Sequence, residues 1–361
     1  MESNTKKPRF WTKLHDVAHR HPYVMYFIAG IGIIIAASLI AFAILYRPPQ
    51  EIVSTPKVAP KPEIMHYSPL TGKKVANEAA TTQLVTAIMI ENSPDARPQS
   101  GLRQAGVVYE AIAEGGITRF LALYQQEKPQ LIGPVRSLRT YFVDWVAPYN
   151  ASVAHVGGSK AALDEIRNGS YRDIDQFFNA EAYWRASDRF APHNVYTSFK
   201  RLDTLNNAKD FTSSEFTSFA RADGKPATAL NATSVTVNVS SPTFNSSYAY
   251  DKTSNSYARS QGGAPHLDRE DGQINPAVIV ALSVDMQNVM EEDGYREKIT
   301  TTGSGTAQIF QNGTVIEATW SKEDRSSELR LIDDAGKSIA LNRGQTWITA
   351  VPNGSGSVTW Q

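Results

Sequence analysis

Between Arg97 and Arg139 the chain concentrates arginine, glutamate and glycine in three runs: RPQSGLRQAG, then YEAIAEGGITRF, then GPVRSLR. From Arg97 to His193 there are nine arginines but only two lysines, Lys128 and Lys160. A merely solvated face has no need to prefer arginine. Its planar fork grips a carboxylate or phosphate through two parallel hydrogen bonds and suits partly buried pairs. The pattern predicts an anion-binding cleft built from Arg97, Arg119, Arg136 and Arg139, with Glu110 and Glu114 among them. The plainer explanation is an ion-pair ladder on a sheet surface, which contributes little. His155 in AHVGGSK and His193 in APHNVY, beside Asn194, add imidazoles at a strand end and in a loop. For either histidine, a hydrogen-bonded structural role is more frequent than that of an acid or base.

Other chemistry has less support. Glu110 and Glu114 lie four residues apart, about 13 Å along an extended strand. Retaining glycosidases hold their carboxyls about 5–5.5 Å apart and inverting ones about 6.5–9.5 Å. A direct dyad therefore requires the strand to bend at Gly115, or one glutamate to pair with a distant acid such as Asp144. His155-Val156-Gly157-Gly158-Ser159 reads as strand, glycine turn and helix start, which aims backbone N–H groups at an anion. It lacks the lysine of a P-loop. No G-x-S-x-G, H-E-x-x-H or EF-hand loop occurs, so neither a nucleophile elbow, a metal site nor a cofactor is indicated. Thr301–Thr306 (TTGSGT) reads as a bulged turn. With no cysteine, disulfides, thiolate chemistry and a lipidated N-terminal cysteine are excluded.

The elements that would position these residues are partly readable. Gly115-Gly116 between two alternating runs predicts a hairpin of Val107–Glu114 with Ile117–Tyr124. A two-residue turn pairs Ile112 with Arg119, placing Glu110, Glu114 and Arg119 on one face. Tyr109 and Phe120 then lie on the other, buried face. Leu84–Ile90 and Ala151–Val156 read as strands. Leu138–Val146 reads as an amphipathic helix, and Ser159 as the cap of a second helix. Residues 67–210 thus form a mixed α/β domain, 211–231 a polar linker, and 232–361 a smaller mostly-β domain with a hairpin at Asn312-Gly313. The fold class is α+β.

In front of this body, Tyr23–Tyr46 runs 24 residues without a charge, long enough to cross a bilayer core of about 30 Å. Tyrosines at its ends suit the interface. Residues 1–22 carry five basic and two acidic residues, so the N-terminus is expected to stay cytoplasmic with the body outside. Residues 47–66, with five prolines, form an extended stalk. The expected partner of Tyr23–Tyr46 is the lipid bilayer, as a single-pass anchor of the cell membrane. Cleavage after Ala43 is the alternative. Lys+Arg and Asp+Glu are 36 each, so no basic excess exists to hold a nucleic acid.

ARPQSGL, EGGITRF, GPVRSLR, HVGGS and APHNVY, followed by Ala264-Pro265-His266-Leu267-Asp268 and Gly344-Gln345-Thr346-Trp347-Ile348, resemble the blocks of the YerB-like family. The resemblance runs from about Tyr67 to the end. It implies a two-part bacterial domain of unknown function found on surface lipoproteins, and it supplies no catalytic residues. The leading expectation is a membrane-tethered, extracytoplasmic envelope protein that binds an anionic cell-wall polymer through Arg97, Glu110, Glu114, Arg119, Arg136, Arg139, His155, His193 and Asn194. One alternative is a peptidoglycan-type hydrolase using Glu110 or Glu114 with His155 or His193. Another is a scaffold for a second envelope protein.

Overall fold

The computed structural model describes residues 22–47, 64–292 and 294–361. The basic segment 1–22 and the stalk 47–66 lie almost wholly outside them. Two units result, residues 1–63 and 64–361. In the first, α1 (Pro22–Leu45) is a 24-residue helix, apolar all round and with no buried residue. Such a helix finds no core within its own unit.

The second unit is built on one sheet. Its first half supplies strands β1 (Thr86–Glu91), β2 (Val107–Glu114), β3 (Ile117–Tyr124), β4 (Ser152–His155) and β5 (Arg172–Asp175). The second half supplies β6 (Ser234–Asn238), β7 (Ser246–Asp251), β8 (Ser256–Gln261), β9 (Val278–Val284), β10 (Gly303–Gln311), β11 (Thr314–Lys322), β12 (Arg330–Ile332), β13 (Thr346–Pro352) and β14 (Ser357–Trp360). Among the described residues ten strands join in the order β12-β11-β10-β9-β13-β2-β3-β1-β4-β5. Strand β13 lies between β9 and β2 and runs parallel to both. The boundary near residues 211–231 is therefore a change of texture that the sheet crosses without a break. That segment also contains no helix; Arg221–Ala222 pairs with Leu341–Asn342 instead.

Central strands are buried on both faces, which explains their continuous apolar runs. One face carries Met89, Tyr109, Leu121, Val280 and Ile348 against helices α2 (Thr140–Val146) and α3 (Lys160–Asn168). Ser159 caps α3, accepting a hydrogen bond from the Ala162 N–H. The other face carries Ile88, Ile90, Val108, Phe120 and Trp347 against α4 (Phe199–Ala208). Farther along, Ile279, Ala281 and Phe310 pack on Val235, Val237, Tyr248 and Tyr257 of a smaller sheet ordered β8-β7-β6-β14, which Ala264–Pro265 extends beside β8.

The β2–β3 hairpin forms, but not in the expected register. A bulge at Ala113 shifts it, so Ala111 faces Arg119, Ile112 faces Thr118 and Glu110 faces Phe120. Glu110 consequently shares a face with Phe120, while Arg119 shares one with Tyr109. Glu110 and Tyr109 are both core residues, each 1% exposed. The expected face holding Glu110, Glu114 and Arg119 together is corrected by that one extra residue. By contrast, Asn312 and Gly313 form the positive-φ turn between β10 and β11 that their dipeptide announces.

Candidate functional site

The parallel strands β1, β4 and β5 end side by side, and their last residues are Glu91, His155 and Asp175. Carboxyl ends of parallel strands are where open α/β sheets place ligands. Chain polarity thus gathers polar side chains at one edge of the sheet.

At β4, His155 is fully buried. Its Nδ1 lies 2.8 Å from the Gly157 carbonyl and its Nε2 3.0 Å from an Asp173 oxygen. Both ring nitrogens are engaged, which leaves neither for a substrate proton. Burial pushes the Asp173 carboxyl up, but His155, the Asp175 N–H and Arg167 together outweigh it and hold the group below its usual range. The glycine turn does aim an N–H at an anion, and that anion is internal: Gly157 donates to Asp175 at 3.0 Å. Arg167 closes the other Asp175 oxygen at 2.8 Å.

At β1, Glu91 Oε1 lies 2.9 Å from His193 Nδ1, accepts from Ser93 Oγ at 3.0 Å and stands 3.4 Å from Arg136 Nε. Ser93 Oγ is 3.1 Å from the same His193 Nδ1. A proton relay needs serine on one ring nitrogen and the acid on the other. Here both compete for Nδ1, so the trio does not activate Ser93. Arg119, facing Glu91 across the β1–β3 pair, donates to the Ser137 carbonyl at 3.0 Å. Burial pushes its guanidinium down to about 10. Glu114, at the mouth of the hairpin, stands 3.6 Å from Arg119 and pairs with Arg139. These arginines hold the chain's own carboxylates.

Glu110 belongs to none of this. Its Oε2 accepts from Arg259 at 2.7 Å and from Trp347 Nε1 at 2.8 Å, and its Oε1 from Thr118 at 3.1 Å. Arg259 also hydrogen-bonds His266 Nδ1, and its guanidinium lies over the Trp347 ring, 4.4 Å from the centroid. His266 Nε2 donates to Gln99 Oε1 at 3.0 Å; Gln99 donates to Asn92, and Asn92 to Thr118. The network closes on Glu110 and stitches the two halves together. Asp144, the alternative acid, accepts from Thr301 at 2.6 Å and pairs with Arg325 at 2.9 Å, partners that Glu110 does not share.

The accessible cations stand at the rim of these clusters. An open groove of about 680 Å³ is lined by Asp95, Arg97, Asp188, Arg189, His193 and Arg269, with Phe190 in its wall. Arg269 is neutralised by Asp188 at 2.6 Å. Arg97 instead donates to Asn92 Oδ1 at 3.2 Å and to the Asn92 carbonyl at 3.0 Å. Arg189 donates to the Asp95 and Pro98 carbonyls at 2.9 and 2.6 Å. Among the described residues, neither guanidinium forms an ion pair with a carboxylate. Burial and the Arg259 charge push Arg97 below its ordinary value, against a smaller opposing pull from the Glu110 carboxylate.

Of the sequence-derived candidates, only Arg97 and His193 line this groove. Asn194 supports its loop, accepting from Arg185 at 2.8 Å and donating to the Ala186 and Arg189 carbonyls. Arg189, Arg269 and Phe190 were not among the candidates. Arg189 was visible as one of the nine arginines; Arg269 and Phe190 carry no signal in the sequence that separates them from ordinary surface residues.

A two-part body on one shared sheet, closed by a buried Glu–Arg–His network, defines the class. Residues 70–212 match the family "Protein of unknown function (DUF3048) N-terminal domain" and residues 235–348 match its C-terminal domain. The chain belongs to this family. It is 33% identical over 290 residues to "Putative lipoprotein YerB" of Bacillus subtilis (strain 168), covering 79% of this chain and 86% of that one. The crystal structure of the YerB protein from Bacillus subtilis superimposes with a TM-score of 0.72 at 29% identity, over 81% of this chain and 99% of that one. The lipoprotein name of that relative and the apolar helix α1 together point to membrane association.

Proposed function

We propose that this chain is a membrane-tethered envelope protein that binds an anionic ligand in the groove between Arg97 and Arg189. One observation carries the reading: two guanidiniums face an open groove with only neutral acceptors as partners. A half-buried cation hydrogen-bonded only to neutral acceptors gains from an anion that reaches it. Bidentate forks make that gain specific for carboxylate and phosphate.

The full chain in zwitterionic vesicles is expected to bind inorganic polyphosphate, with affinity falling as salt rises. Arg189→Gln and Arg97→Gln should each weaken binding about 10- to 100-fold, the range of one charge-assisted hydrogen bond of about 1.5–3 kcal/mol. Arg189→Lys should recover only part, because an ammonium cannot reproduce the fork. Equal binding by wild type and both glutamine variants would refute the groove.

The charge step across α1 supports an orientation with the N-terminus inside and the body outside. A phosphatase fused after Gln361 should be active only beyond the membrane. Cytoplasmic activity of that reporter contradicts the orientation.

A further inference from the structure

Phe190 stands in the wall of the groove that holds Arg97 and Arg189, and it is 90% exposed. Other exposed phenylalanines near the sheet edge have partners within the chain. Arg167 lies over the Phe178 ring at 5.0 Å, and Phe177 packs over Gly157, 3.1 Å from where a Cβ would stand. Among the described residues, no ring or cation stacks on Phe190. Its backbone is nonetheless fixed, because the Phe190 carbonyl accepts from the His193 N–H at 2.9 Å and the preceding Arg189 is anchored to Asp95 and Pro98. A bare aromatic face on a fixed backbone, beside two guanidiniums whose hydrogen-bond partners are neutral, is a composite surface. It has one apolar, quadrupolar plane and two forks for acid groups.

The face of an aromatic ring is electron-rich, and the C–H face of a pyranose ring is apolar and weakly positive, so the two stack. Ligand sites commonly combine such an apolar platform with a few placed polar groups. We propose that the groove takes an acidic glycan, with a sugar ring stacked on Phe190 and its carboxylate or phosphate held by Arg97 and Arg189. This rests on the anion-binding reading above and adds the chemistry of the carrier. A bare polyanion would use the guanidiniums and ignore the ring. A neutral glycan would use the ring and leave the charges unanswered.

The test compares probes on the full chain in zwitterionic vesicles: a polygalacturonate oligomer (acidic sugar), polyphosphate (acid without sugar) and ATP (phosphates with an aromatic base). Phe190 is exposed, so its replacement leaves the core intact. Phe190→Ala should lose about tenfold in affinity for polygalacturonate and change less than twofold for polyphosphate, while Phe190→Trp restores polygalacturonate binding. Arg189→Gln should weaken both probes. If Phe190→Ala leaves polygalacturonate binding unchanged while Arg189→Gln weakens it, the glycan is overturned and the anion groove stands. The same holds if wild type binds polyphosphate but not polygalacturonate. Tighter, Phe190-dependent binding of ATP would replace the glycan with a nucleotide. Binding of no probe by wild type would remove both readings.

Discussion

His266 is held as a neutral imidazole by its neighbours. Its Nδ1 faces the Arg259 guanidinium, which can only donate, and its Nε2 faces the Gln99 carbonyl oxygen, which can only accept. Burial, then the charges of Arg259 and Arg97, push its pKa well below the usual value. In the unfolded chain the same histidine takes a proton near pH 6.5. Below that pH the unfolded state binds more protons than the folded one, so stability falls on acidification and is recovered above it. The expected loss approaches 1.4 kcal/mol per pH unit below about 6.5. Urea midpoints measured from pH 7.5 to 5 should therefore drop more steeply for wild type than for His266→Gln, which has an amide able to meet both neighbours. Parallel curves would show that His266 does not govern this window.

At the scale of elements, what the sequence makes legible depends on whether a signal is local. The Gly115-Gly116 and Asn312-Gly313 turns and the Ser159 cap are written in adjacent residues, and each forms where those residues stand. The bulge at Ala113 has no such mark, since no glycine or proline singles it out. Val107–Glu114 is also buried on both faces, so its side chains lack the in-out alternation that fixes register in a half-exposed hairpin. One unmarked residue then moved Arg119 to the Tyr109 face and left Glu110 with Phe120. The excess of arginine over lysine indicates a need for forks, and four of the nine serve internal carboxylates: Arg139 holds Glu114, Arg136 and Arg119 stand by Glu91, and Arg167 holds Asp175. Composition reports how many forks exist. Only the fold shows that Arg97 and Arg189 meet neutral acceptors side by side in one open groove.

The whole body depends on contacts that join its two halves. Strand β13 completes the sheet by pairing Thr346–Thr349 with Val107–Glu110, more than 200 residues earlier in the chain. Glu110, charged and buried in the first half, is compensated by Arg259 and Trp347 from the second. Removing the partner of a buried charge costs about 3–5 kcal/mol, and removing a buried tryptophan costs a similar amount. Together these approach the 5–15 kcal/mol that holds a whole domain. The two family models, split near residue 212, therefore mark sequence segments that depend on one another to fold. Residues 64–231 expressed alone should show no cooperative unfolding transition and should aggregate through the bared edge of β2. Mixing them with residues 232–361 should restore a single transition in proportion to the complex formed. A sharp, reversible transition for residues 64–231 alone would mean that Glu110 finds another partner or that β2 tolerates its open edge, and the dependence would fall.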